Sequence, residues 1–283
     1  MSPRSRLTAR TSPEVAAVRA LQTARGRKEA GVFAVEGPQA VREALDRAVR
    51  VDTVFVTTDA TQRFEEIVGV AHGRAIPVIP VVDTVLSAMA ETTTPQGILA
   101  VCEIPTVTLG DVVRAEGSGP LVILDGVADP GNAGTIIRTA DAFGAVGVIL
   151  TEGSVDPYNG KCVRSTAGSI FNLPVTADAS AEEARSVVRD AGFPIAVATG
   201  HGDVDLADWA HRADGRWCWV FGSEAHGVGP LLTGSADARV RIPIVGRAES
   251  LNVASAAAVC LSADLDRRRG RIEASPSTGA KPQ

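Results

Sequence analysis

The sequence predicts an α/β protein of two parts, a small α/β/α domain followed by a larger one built on a parallel sheet. Three observations predict it. Strand-like and helix-like stretches alternate from residue 12 onward. After residue 120, the runs LVILDGV, VGVILTEG, FPIAVATG and WCWVFGSE are almost continuously apolar, as strands covered on both faces are. Between the two series lies TVTLGDVVRAEGSGP, whose end at Gly117, Ser118, Gly119 and Pro120 reads as a linker.

Each element has its own signal. SPEVAAVRALQTAR is expected to be helical, with Ser12 as N-cap and Pro13 in the first turn. GVFAVEG follows as a strand, PQAVREALDRA as a helix and VDTVFVT as a buried strand. TQRFEEIVGVAHGR, PVIPVV, TVLSAMA and GILAVCEI continue the alternation and complete a first domain over 1–105, with 106–119 as linker. In the second domain, 120–270, LVILDGV leads into the helix NAGTIIRTADAFGA, closed by Gly144, and AEEARSVVRDAG is a helix between two strands. IPIVGRAESLNVASAAAV then combines a strand end, a polar loop and a helix whose first turns hold almost only small residues. Small residues let a backbone or a ligand come close. Residues 271–283 read as a disordered tail.

Composition narrows the class. With 283 residues, 45% apolar and 22% charged, the chain is of the soluble globular kind. It has no apolar run of membrane-spanning length and no apolar leader segment, so a cytoplasmic protein without a membrane partner is expected. Cys102, Cys162, Cys218 and Cys260 form no CxxC pair and are expected to be reduced and buried; the histidines do not cluster with them, and no metal is implied. Net charge is −5, yet its distribution is uneven. Arg4, Arg6, Arg10, Arg19, Arg25, Arg27 and Lys28 precede residue 29 against only Glu14. A basic arm on an acidic body suits phosphate contact.

Ligands of such sheets bind beyond the C-terminal strand ends, where three loops carry chemistry. LVILDGVADPGNAGTIIR places glycines at 126, 131 and 134, which satisfies neither GxGxxG nor a P-loop, so a structural turn and a functional one both stay open. Arg138 is expected on the first turns of the following helix, against the dipole preference, which favours a functional cation. VFGSEAHGVGP sets Glu224 among Gly222, Gly227 and Gly229, a pattern for close ligand approach or for a solvated acid; His226 reads as a bystander. Ser250 and Asn252 can cap the last helix, and such an N-terminus also offers amides to an anion.

In this order, NAGTIIRTADAFG, VFGSEAHGVG and IPIVGRAESLNVASAAAV resemble the three motifs of the SpoU/TrmH family, RNA ribose 2′-O-methyltransferases of the SPOUT superfamily. The resemblance covers residues 120 to 266. KCVRSTAGSIFNLPV resembles the family's segment between the first two motifs, and GVFAVEGPQAVREAL is similar to the ribosomal-protein-like RNA-binding domain of its ribosomal-RNA-modifying members. Departures are Val228 in place of a larger apolar residue and RSTAG in place of RASAG.

The resemblance implies a C-terminal trefoil knot, a homodimer, and S-adenosylmethionine bound in a bent shape beside the small residues Ala254 to Ala258. Arg138 would then activate the 2′-hydroxyl, acting as a cation because guanidinium resists deprotonation. Asn132 and Glu224 would orient the arginine and the ribose, and Ser250 and Asn252 would complete the network. Gly222, Ile242 and Leu251, with Thr199 and Gly200, would hold the cofactor. Arg4, Arg6, Arg10, Arg25, Arg27, Lys28 and Arg164 would meet RNA. The implied substrate is 23S ribosomal RNA, with transfer RNA as alternative. A non-catalytic RNA-binding protein would be expected to lose Arg138, Glu224 or Asn252, and an oxidoreductase would need GxGxxG.

Overall fold

The computed structural model describes residues 6–47 and 49–274. Its first elements are helices α1 (Pro13–Ala20) and α2 (Ala24–Ala30), strand β1 (Val32–Glu36), helix α3 (Pro38–Asp46) and strand β2 (Val51–Thr57). Helices α4 (Thr58–Arg63) and α5 (Glu65–Gly73), strand β3 (Val78–Val81), helix α6 (Asp83–Met89) and strand β4 (Ile98–Glu103) follow. Two stretches expected as single helices are each broken. Ser12 accepts the Val15 N–H and caps α1 as predicted, but Thr23 accepts the Gly26 N–H and starts a second helix. Phe64, at φ −121° and ψ 37°, separates α4 from α5.

These strands form one sheet in the order β1-β4-β2-β3, with β4 antiparallel to both neighbours and β2 parallel to β3. Two apolar clusters pack around it. One joins Phe33, Val35, Val41, Leu45, Val54 and Ile98; the other joins Val15, Val18, Phe55, Leu86, Met89 and Leu99. The expected basic arm is therefore corrected. Leu7 donates to the Pro80 carbonyl and accepts from Val82, and Val15, Val18 and Leu21 are buried. Deleting residues 1–28 would remove part of a core, not a solvated terminus.

The chain continues through helix α7 (Leu109–Arg114), strand β5 (Leu121–Asp125), helix α8 (Pro130–Ala142), strand β6 (Gly147–Thr151) and helix α9 (Gly160–Thr166). A 3-10 turn at Ser169–Phe171 leads to strand β7 (Val175–Ala179), helix α10 (Ala181–Asp190), strands β8 (Ile195–Ala198) and β9 (Val204–Asp205), and helix α11 (Leu206–Arg212). Strand β10 (Cys218–Gly222), helix α12 (Pro230–Gly234), strand β11 (Ala238–Arg241) and helix α13 (Val253–Ala274) complete it. Three expectations need correction. The supposed linker holds α7, whose Val112 is fully buried. Strand β11 ends at Arg241, so Ile242 opens a loop instead of ending a strand. Helix α13 reaches Ala274, beyond the expected start of the tail, and 275–283 lie outside the described residues.

Two compact units result. The first gathers the chain up to Thr108 with Ala128–Arg138 and Val155–Val175; the second takes Leu109–Val127, Thr139–Ser154 and Thr176 onward. In the second unit the sheet order is β7-β6-β5-β10-β8-β11-β9. The pairs β5–β6, β5–β10, β8–β10, β8–β11 and β9–β11 are parallel, as expected from the apolar strands. From β5 the chain steps outward to β6 and β7 on one side, and β10 occupies the other side. The order reverses between β5 and β10, and that is where such sheets receive ligands.

Candidate active site

The switch point is built by two strand ends lying abreast. Asp125 ends β5 opposite Gly222, which ends β10. The Asp125 carboxylate accepts the Thr151 hydroxyl at 2.8 Å and the Gly229 N–H at 2.7 Å, and the Thr151 oxygen accepts the Gly126 N–H at 3.2 Å. One carboxylate thus pins the ends of β5 and β6 to the loop that follows β10. Sequence reasoning passed over Asp125 and Thr151; the available signal was an acid directly ending the apolar run LVILD.

The loop after β10 is a tight turn. Ser223 and Gly227 exchange both backbone hydrogen bonds, at 3.1 and 2.8 Å, and the His226 N–H donates to the Ser223 hydroxyl. Gly227 sits at φ +67°, where a side chain would be strained. A Cβ on Gly222 would lie 2.1 Å from the Gly227 carbonyl carbon and 2.2 Å from the Val228 nitrogen, so only glycine lets the strand end meet its own turn. Glu224 and His226 stand exposed at the tip.

Further cofactor candidates share this sheet edge. Thr199 and Gly200 follow β8, and Ile242 follows β11; both strands belong to the block that adjoins β10. The Thr199 N–H donates to the Val240 carbonyl at 2.9 Å, locking the β8 exit to β11. A Cβ on Gly200 would meet no atom within 4 Å, so that exit faces open space. Leu251 and Ser250 lie exposed in the 242–252 loop. Asn252 caps α13, its Oδ1 accepting the Ala254 and Ser255 N–H groups at 2.9 and 3.3 Å. The cap reading of Asn252 holds.

The remaining catalytic candidates lie on α8. Asp129 accepts the Asn132 N–H at 2.9 Å and the Lys161 ammonium at 3.0 Å. The Asn132 amide first, then Lys161, hold its carboxyl below the ordinary carboxylate range. Helix α8 begins at Pro130, so Arg138 stands in its third turn, exposed. The dipole anomaly expected of it is therefore absent. Six positions apart, Asn132 and Arg138 differ by about 120° around the helix and about 9 Å along it.

The RNA-contact candidates divide. Arg6, Arg10, Arg25 and Lys28 are exposed, and Arg25 pairs with Glu29 at 2.7 Å. Arg4 lies outside the described residues. Arg27 is 2% exposed, 2.6 Å from Asp156, and donates to the Leu21 carbonyl. It is a core ion pair, not a phosphate contact. Arg164 is held by Glu36 and Glu91. All four cysteines are buried, and burial pushes the Cys162 and Cys260 thiols up to about 12, as in packed core residues. Among the described residues, no group of three or more His, Cys, Asp or Glu is placed to hold a metal ion, and no helix is long and apolar enough to cross a membrane.

A parallel sheet with a glycine-bounded acidic turn at its switch point defines a ligand-binding α/β protein. The chain belongs to the SpoU rRNA methylase family, which it matches over residues 119–262, and residues 12–100 match the MRM3-like substrate binding domain. It is 32% identical to the 23S rRNA (guanosine(2553)-2′-O)-methyltransferase of Bacillus subtilis, over 84% of this chain and 90% of that protein. It is also 32% identical to the 23S rRNA (uridine(2479)-2′-O)-methyltransferase of Streptomyces viridochromogenes, over 88% of each. The crystal structure of an AdoMet-bound rRNA methyltransferase from Sinorhizobium meliloti superposes with a TM-score of 0.82 at 33% identity, covering 94% of this chain and 98% of that one.

Proposed function

We propose that this protein transfers a methyl group from S-adenosylmethionine to a ribose 2′-hydroxyl of 23S ribosomal RNA. The observation that carries the reading is the Ser223–Gly227 turn, which holds Glu224 at the switch point of a SpoU-family sheet. The relatives named above act on a guanosine and a uridine. Their common element is the ribose, which supports chemistry addressed to the sugar and not to the base.

The strand ends fit the cofactor. Gly200 faces open space, so backbone groups at the β8 exit are open to close approach by a nucleoside, while Gly222 lets the turn after β10 close against its own strand end. Thr199, Gly200, Gly222, Ile242 and Leu251 would hold its adenosine part. When bound, S-adenosylmethionine supplies a methyl group on a sulfonium, an electrophile for an oxygen attacking in line. Arg138 stays protonated and gathers the phosphate and the negative charge developing on the 2′-oxygen, whose proton passes to water as the sulfonium becomes a neutral thioether. Asn132 and Glu224 orient the arginine and the ribose, and Ser250 and Asn252 complete that network.

The wider reading assigns 1–105 to RNA binding and 120–270 to catalysis, with Arg6, Arg10, Arg25 and Lys28 meeting phosphates. A trefoil knot through the 242–252 segment and a cytoplasmic location belong to it. So does a homodimer covering the exposed Ile244, Val245 and Val259.

The test is methylation of 23S ribosomal and transfer RNA with labelled cofactor, followed by mapping of the label. Label on a 2′-oxygen of 23S RNA is expected. Arg138→Ala should lower transfer about 100-fold or more, with affinity for S-adenosylhomocysteine nearly unchanged. Label on a base, or wild-type turnover by Arg138→Ala, would refute the mechanism.

A further inference from the structure

Arg164 lies on α9, a helix placed by chain order between strands β6 and β7 yet folded into the first unit, against β1. Its guanidinium stands 3.3 Å from Glu36 and 3.1 Å from Glu91. Glu36 is itself fixed. One oxygen accepts the Glu91 N–H at 2.7 Å, and the other accepts the Thr92 hydroxyl at 2.7 Å and the Thr92 N–H at 3.3 Å. With Glu36 only 10% exposed and Arg164 27%, that pair is largely withdrawn from solvent, and Glu91 meets it from the exposed side.

The same helix abuts the start of α8. A Cβ on Gly134 would lie 2.4 Å from the Cys162 carbonyl oxygen and 2.6 Å from the Ser165 Cβ, so the two helices meet at the closest approach a backbone allows. Lys161, on the turn before Arg164, holds Asp129, which in turn accepts the Asn132 N–H. Both ends of α9 are seated on residues of the N-terminal sheet domain. A Cβ on Gly160 would meet Glu91 at 2.3 Å, and one on Gly168 would meet Glu43 at 2.5 Å.

We propose that Arg164 is a positioning residue: through α9 it ties the place of Asn132 and Arg138 to the substrate-binding part of the chain, without touching RNA. The inference rests on the ribose 2′-O-methyltransferase reading. Its physical basis is that loss of the guanidinium leaves Glu36 and Glu91 side by side, half-buried and without their cation. They repel, α9 shifts from β1, and α8 follows because no slack exists at Gly134. This replaces the expectation that Arg164 contacts RNA. Arg164 and Glu36 also line a cleft of about 280 Å³, so the test must separate positioning from direct binding.

Steady-state methylation of 23S RNA by the full chain does so. Arg164→Ala is expected to lower kcat about tenfold or more, with KM for RNA and affinity for S-adenosylhomocysteine within about threefold. Arg164→Lys should recover part of kcat, since it keeps the charge and loses the fork. In a Glu36→Gln, Glu91→Gln background, adding Arg164→Ala should cost nothing further, because one coupled cluster has already been broken. A raised KM with kcat kept and a salt slope lower by about one would mean a phosphate contact and overturn the proposal. Additive losses, or none, would overturn it too. Should Arg164→Ala unfold, Gly134→Ala must give the same loss confined to kcat, and wild-type kcat there refutes it. A wild-type chain that does not methylate ribosomal RNA sinks the functional reading itself, a result distinct from any variant's.

Discussion

Gly222→Ala tests the site most directly, because the added methyl meets backbone on every near side. Its Cβ would stand 2.1 Å from the Gly227 carbonyl carbon, 2.2 Å from the Val228 nitrogen and 2.3 Å from the Gly227 oxygen. Ordinary carbon contacts begin near 3.5 Å, so the turn must retreat by about 1.4 Å. It cannot do so cheaply. Ser223 and Gly227 close the turn with two backbone bonds, and Gly229 is tied to Asp125 just beyond it. Overpacking of this kind costs about 1–3 kcal/mol of stability. The displaced turn carries Glu224, and a misplacement of about 1 Å can cost about 100-fold in rate. The expected outcome is a kcat lower by about that factor, with weaker S-adenosylhomocysteine binding by calorimetry, in a protein that still melts cooperatively. Gly234→Ala is the control, since a Cβ there meets nothing within 4 Å. A Gly222→Ala protein with wild-type kcat and cofactor affinity would refute the assignment of this turn to the site.

Two further outcomes follow from charges that the structure separates into buried and exposed. Asp264 is fully buried and paired at 2.8 Å with both Arg267 and Arg268, so Asp264→Ala should destabilise by about 3–5 kcal/mol, read in urea unfolding; a loss below about 1 kcal/mol would contradict it. Reversing Arg6, Arg10, Arg25 and Lys28, all exposed, should weaken RNA binding and flatten its log–log salt dependence by about 0.9 for each phosphate no longer neutralised, whereas identical slopes would show these cations to be bystanders.

The sheets were legible because strand signals are local. LVILDGV and WCWVFGSE are apolar at nearly every position, and both became central strands of a parallel sheet. Ser12 and Gly144 were legible for the same reason: a cap and a left-handed helix end depend on neighbours a few residues away. Arg27 was not legible. Nothing within its own stretch distinguishes it from Arg25, and only Asp156, far along the chain, turns it into a buried ion pair. Helix α7 was hidden by its Gly/Ser-rich exit, because its burial comes from α10 and β6 and not from its own pattern. Arg138 was placed at a helix start by its local pattern, and that was wrong: Pro130 starts α8 earlier than the motif suggests.

The slim helix finds its reason in how the 242–252 loop is held. At the N-terminal end of α13, Val253, Ala254 and Ala257 are buried and short, which lets the helix lie close to β8 and β10 with Asn252 capping it. At the other end, bulk and charge take over. Asp264 binds Arg267 and Arg268, Arg267 reaches the Gly215 carbonyl and lies over the Trp209 ring, and Arg268 reaches the Phe143 carbonyl. The helix is thus clamped past its middle while its near end is thin. The loop between β11 and α13 is tethered on both sides by buried structure, yet Val245 within it is fully exposed and Ile244 and Leu251 partly so. Apolar side chains displayed on a segment with fixed ends lose less conformational freedom on being covered than they would on an untethered chain. A loop anchored in this way would lose less freedom on making the cofactor and partner contacts proposed for it. The small residues do not leave the core unfilled; they set the closeness at which that loop begins.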